Sequence, residues 1–61
     1  MTVPIITIEL LEGRTRTQKE QLAKEITDVV ERTLGVPRDF VEILFYDVPR
    51  GNYAKGGRIL D

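Results

Sequence analysis

The stretch Pro4-Ile5-Ile6-Thr7-Ile8-Glu9-Leu10-Leu11-Glu12-Gly13-Arg14 decides how this chain folds. Within it Ile6, Ile8 and Leu10 alternate with Ile5, Thr7 and Glu9. This period of two, in a run rich in β-branched residues, predicts a strand from Pro4 to Leu11. Pro4 can head the strand because the first residue need not donate to the ladder. Glu12-Gly13-Arg14 then turns the chain. Beyond the turn the period changes. Thr15-Arg16-Thr17-Gln18 has the form of a capping box, and Leu22, Ala23, Ile26, Val29, Val30 and Leu34 recur at helical spacing. A helix is expected over about Thr17 to Leu34, with Glu20–Lys24 and Asp28–Arg32 as i,i+4 pairs on its solvated side. Gly35 supplies the stop, and Pro37 prevents the helix from resuming.

The next apolar run, Phe40 to Asp47, reads as a second strand with Val41, Ile43 and Phe45 on one face and Glu42, Leu44 and Tyr46 on the other. Strand, helix and strand in this order make a right-handed crossover and a parallel pair. One helix covers one face of two strands, so Leu44 and Tyr46 leave an apolar patch that calls for a partner subunit. Asn52-Tyr53-Ala54-Lys55-Gly56-Gly57-Arg58 has the glycines of a tight hairpin or of a loop that docks on a neighbour. The expected class is α+β: a small β-α-β unit with a C-terminal hairpin, its parallel pair covered by one helix, assembled into oligomers.

The 61 residues are expected to form one domain, with residues 1–3 as an extension ahead of Pro4. A chain this short buries only about 60% of its unfolded surface, so its core is marginal without a staple or partners. Cysteine and histidine are both absent. That removes disulfides, thiolate metal sites and the commonest general base, and leaves oligomerisation as the way to gain burial. A formal charge of −1 with interleaved signs offers no footprint for nucleic acid or membrane. No apolar run has the length of a signal h-region or a membrane span, so a cytoplasmic location is expected.

Leu11-Glu12-Gly13-Arg14, followed by Thr15 and Gln18-Lys19, resembles the strand-to-helix signature of the 4-oxalocrotonate tautomerase family, and Gly56-Gly57 resembles the glycine pair of that family's hairpin. The resemblance spans nearly the whole chain. It implies a cofactor-independent keto-enol tautomerase acting on small enol or oxo acids such as 2-hydroxymuconate in aromatic catabolism, and a homohexamer built as a trimer of dimers. It implies that Pro4 is the general base through a free amine. It further implies that Arg14 binds a substrate carboxylate across a subunit boundary, and that Tyr53 stands in the apolar wall beside the proline. At Glu42 the chain departs from the family, whose best-known members carry a second arginine there. That departure puts a dicarboxylate substrate in question.

The chemistry of each candidate has a plainer counterpart. A free α-amino group has a reference pKa of about 7.7–8.0 and serves as a base near neutrality, whereas an internal prolyl nitrogen is an amide without basicity. With Met1-Thr2-Val3 attached, Pro4 is expected to be inert. Initiation at the codon written as Val3, followed by methionine removal, would free it. Arg14 is either a loop cation or a carboxylate clamp, for which its planar fork is suited. Lys55 is a hairpin-tip charge or a substitute for the missing arginine, with Arg50 and Arg58 as weaker candidates. Glu42 either pairs with one of these cations, touches substrate, or activates water as in the hydratase and dehalogenase relatives of the superfamily. Two alternatives to the tautomerase reading follow: a non-catalytic oligomer-forming subunit, and a hydratase or dehalogenase of unsaturated acids.

Overall fold

In the computed structural model, which describes residues 3–60, the chain forms strand β1 (Ile5–Leu11), helix α1 (Arg16–Leu34), strand β2 (Glu42–Val48) and the short strands β3 (Ala54–Lys55) and β4 (Arg58–Ile59). Met1 and Thr2 of the extension lie outside the described residues. β1 and β2 are parallel, in a register that sets Ile5 beside Glu42, Ile8 beside Phe45 and Leu11 beside Val48. β3 and β4 are antiparallel, with Ala54 beside Ile59 and Lys55 beside Arg58. The α+β class, the parallel pair with one helix and the hairpin are therefore all present.

Local chemistry accounts for each boundary. Thr15 accepts a hydrogen bond from the Gln18 N–H while the Gln18 side chain accepts one from the Thr15 N–H, which closes the capping box and starts α1 one residue before the expected Thr17. Gly35 ends the helix in the left-handed region at φ 69°, its N–H donating to the Glu31 carbonyl. Phe40 does not open β2. It closes a 3-10 turn over Arg38–Phe40, in which the Phe40 and Val41 N–H groups donate to the Pro37 and Arg38 carbonyls. Those donors are spent on the turn, so the ladder begins at Glu42 and extends one residue beyond the expected Asp47, to Val48. Gly56 and Gly57, both at positive φ (61° and 83°), form the two-residue bend between β3 and β4, as a primed hairpin turn requires.

Ile6, Ile8 and Leu10 of β1 and Ile43 and Phe45 of β2 are half-buried on one face of the pair, and so are Ala23, Ile26 and Val30 of α1. The opposite face stays open: Ile5 is 59% exposed, Leu44 45% and Tyr46 53%. Leu22, Val29 and Leu34, expected on the apolar side of α1, also remain exposed. Among the described residues no side chain is fully enclosed. The subunit is a flat body of 42 × 24 × 14 Å with a radius of gyration of 14.6 Å. A compact chain of this length would have about 10.5 Å.

The ion pairs also differ from those expected along the helix. Asp28 meets Arg38 at 2.9 Å in place of Arg32, and Arg38 also reaches Glu31 at 3.1 Å. Glu20 approaches Arg16 at 4.0 Å in place of Lys24. In both cases the partner lies nearer the helix end, where the following or preceding turn carries the cation onto the acid. These exposed pairs contribute about 0–1 kcal/mol each.

Candidate active site

The residues singled out by the sequence fall at two opposite ends of the sheet. At one end Pro4 precedes β1, half-buried, and its carbonyl accepts a hydrogen bond from the Glu42 N–H at 3.0 Å. Proline suits this corner because it has no N–H to leave unsatisfied and its carbonyl alone joins the ladder. Glu42 is the first residue of β2 and sits beside Ile5 on the open face. Asp39 lies in the turn just before it, and the C-terminal end of α1 faces the same way, adding the negative end of its macrodipole. Arg38 is the cation closest in sequence, and its charge is already engaged by Asp28 and Glu31. The hydrogen bond that Arg38 donates to the Asp28 carboxylate is the main reason that its guanidinium is held above its ordinary pKa.

At the other end Arg14 follows β1 and lines a recess of about 290 Å³ with Leu10, Gln18, Lys19 and Leu22. Gln18 serves the capping box as well. Lys19 is drawn across to Asp47 of β2 as an ion pair. Among the described residues Arg14 makes no ion pair, so it is the cation of this recess free to meet an anion, over an apolar floor of Leu10 and Leu22. The Arg50 N–H donates to the Glu12 carboxylate at 3.1 Å, and the Glu12 N–H to the Val48 carbonyl at 3.0 Å; these bonds tie the exit of β2 to the turn that carries Arg14.

Tyr53 belongs to this second end. It lines a second recess, of about 440 Å³, with Glu9, Leu10, Leu11 and Val48. Lys55 lies in β3 opposite Arg58, exposed, and among the described residues it makes no ion pair. The seven residues of β1, about 23 Å at the rise of a strand, and the turn residues Glu12 and Gly13 lie between Pro4 and Arg14. One subunit therefore brings Pro4 together with Glu42, and Arg14 together with the apolar recess, but does not bring the two groups to one small molecule.

Sequence reasoning named Lys19 and Asp47 but missed their pairing. A signal was available: Lys19 shares a helical row with Ala23 and Ile26, and a cation in an apolar row needs a carboxylate across from it. Among the described residues no group of acids forms a metal cluster, and no helix is long and apolar enough to cross a membrane.

Comparison with known proteins agrees with this architecture. The sequence profile of the family described as "Tautomerase enzyme" matches residues 4–61, beginning on Pro4. A probable tautomerase of Streptococcus pneumoniae serotype 4 is 42% identical over 57 residues, covering 93% of this chain and 95% of that protein. The structure of a 4-oxalocrotonate tautomerase isozyme from Methylibium petroleiphilum superimposes with a TM-score of 0.86 at 41% identity, over 92% of this chain and 88% of its own. A fused 4-oxalocrotonate tautomerase asymmetric trimer shares the fold at a TM-score of 0.85 and 27% identity, over 90% of this chain and 45% of its own. A protein studied for trans-3-chloroacrylic acid dehalogenase activity matches at a TM-score of 0.82 and 26% identity, over 95% of this chain and all of its own, 100%. A profile that starts on the proline heading β1, with relatives matched over nearly their whole length, places this chain in the 4-oxalocrotonate tautomerase family.

Proposed function

We propose that this protein is a cofactor-independent tautomerase of small enol or oxo acids, with residues 4–61 as the functional unit and Pro4 as general base once its amine is free. The observation that carries the reading is the family match beginning on the proline that heads β1. In the reaction the prolyl nitrogen takes the proton of the substrate's enol hydroxyl. The O–H electrons become the carbonyl π bond, the conjugated double bond shifts, and the prolyl ammonium returns the proton to a distal carbon. No atom is gained or lost.

Arg14 holds the substrate carboxylate bidentately and stabilises charge spreading into the dienolate. Tyr53 supplies apolar wall, and Lys55 adds a weaker attraction for the same carboxylate. Because the length of β1, about 23 Å, lies between Pro4 and the turn that carries Arg14, the site is composite, with Arg14 and Tyr53 supplied by a neighbour. The open faces of the sheet and helix support such an assembly. We take it to be a homohexamer, a trimer of dimers in which paired subunits extend the sheet to four strands. A cytoplasmic role in the breakdown of aromatic compounds fits this chemistry.

A second reading rests on Glu42 beside Pro4 and on the dehalogenase among the fold's neighbours: the carboxylate activates water for addition to an unsaturated acid. The deciding experiment compares the 61-residue chain with a form beginning at Pro4, its free amine verified by intact mass. The trimmed form is expected to convert 2-hydroxymuconate or phenylenolpyruvate at least roughly a hundredfold faster, the low end of what a positioned base contributes. Equal rates would mean that Pro4 is no base and that the subunit is non-catalytic. Release of halide from 3-chloroacrylate in the absence of enol turnover would favour the second reading.

A further inference from the structure

Both ends of the subunit carry charges of both signs, and they differ in which charges are left unpaired. At the Pro4 end stand Glu42 beside the proline, Asp39 in the turn before β2, Asp28 and Glu31, which share Arg38, Arg32 on the last turn of α1, and the negative end of the helix. At the Arg14 end stand Lys19, paired with Asp47, Glu12, whose carboxylate accepts from the Arg50 N–H, and the positive end of the same helix. A substrate clamped at Arg14 and reaching Pro4 of another subunit therefore lies with one end at a free cation and its remainder approaching a carboxylate.

The distance to that carboxylate is bounded. The Glu42 N–H lies on the Pro4 carbonyl at 3.0 Å. Covalent geometry then keeps the Glu42 carboxylate within about 12 Å of the Pro4 nitrogen. Glu42 is exposed on the open face and makes no ion pair among the described residues, so its charge is not cancelled within the subunit. An added negative charge on the substrate at that range is disfavoured by roughly two- to tenfold, taking effective dielectric constants between about 80 and 20.

We propose that Glu42 is a specificity-determining residue which selects monocarboxylate enol acids, neutral at the end remote from Arg14, over dicarboxylates. The inference rests on the tautomerase reading above and adds the charge of the substrate to it. Glu42 acts by repulsion: it lowers the affinity of the wrong acid and leaves recognition of the right one to Arg14 and the apolar wall. Because the effect is Coulombic and close to solvent, it weakens as salt is added.

The test uses a matched pair of substrates, 2-hydroxy-2,4-pentadienoate and 2-hydroxymuconate, which differ by the distal carboxylate. Steady-state kcat/KM is measured on the form with a free Pro4 amine, for the parent and for Glu42→Gln, Glu42→Arg and Lys55→Ala. The parent is expected to favour the monoacid. Glu42→Gln is expected to shift the ratio toward the diacid by roughly two- to tenfold, with a larger shift for Glu42→Arg and a smaller parent preference at high salt. Lys55→Ala should lower both substrates alike. A parent preference for the diacid, a ratio unmoved in both Glu42 variants, or a loss confined to the diacid in Lys55→Ala would overturn the proposal while leaving the tautomerase reading intact. Absence of Pro4-dependent turnover on either acid would overturn both.

Discussion

Arg14 and Lys19 illustrate how two cations in one recess acquire different duties. Lys19 reaches Asp47 and is held as part of the link between α1 and β2, whereas Arg14 has no such partner among the described residues. Replacing Arg14 with alanine removes a charged hydrogen-bond donor and little apolar contact. Turnover of carboxylate substrates, as kcat/KM, is expected to fall by roughly ten- to a hundredfold, the equivalent of about 1.5–3 kcal/mol for hydrogen bonds to a charged group. The native mass should be unchanged. An Arg14→Ala protein with parental kcat/KM would exclude Arg14 from the site. Lys19→Met should behave differently, lowering thermal stability modestly, because it breaks a half-exposed pair and strands Asp47 on the rim of the sheet.

α1 depends on its ends more than on its interior, since none of its side chains is fully enclosed in the subunit. The capping box at Thr15 and Gln18 is therefore a sensitive point. Thr15→Ala leaves the Gln18 N–H without its acceptor and is expected to cost about 1 kcal/mol, seen as a thermal midpoint lower by about 5 °C. A midpoint within one degree of the parent would show that packing, and not the cap, holds the start of the helix. The hairpin makes the complementary case. At Gly56 and Gly57 a Cβ would meet no atom within 4 Å, so the demand for glycine is conformational and not steric. β-branched residues there would oppose the positive φ of the turn.

Among the described residues no enclosed core forms, and the radius of gyration exceeds the value for a compact chain of this length by about 4 Å. On the proposed reading, further burial comes from other copies of the chain. Native mass measurement is expected to give a hexamer at micromolar concentration, and a stable monomer there would remove the composite site. Leu44→Asp places a charge in the middle of the open apolar face and is expected to dissociate the assembly and abolish turnover together. Activity surviving in a dissociated Leu44→Asp protein would show that one subunit suffices.

Much of this protein is settled by short-range chemistry, and so was readable along the chain. The alternation from Ile5 to Leu10, the Thr15–Gln18 box, the stop at Gly35 and the glycine pair of the hairpin each act within four residues, and each appears where the sequence predicts. The start of β2 did not follow from its apolar pattern, because the 3-10 turn after Pro37 took up the N–H groups of Phe40 and Val41 first. The charge pairing was also decided in three dimensions. Asp28 turned to Arg38 and Lys19 to Asp47 because chain reversal brought cations and acids from separate elements closer than the i,i+4 geometry did. The arrangement of the site belongs to the same class. Pro4, Arg14, Glu42, Tyr53 and Lys55 carry their chemistry in the sequence, but only the parallel register puts Glu42 at Pro4 and sends Arg14 and Tyr53 to the far end of the sheet, since a strand separates its two ends by its own length.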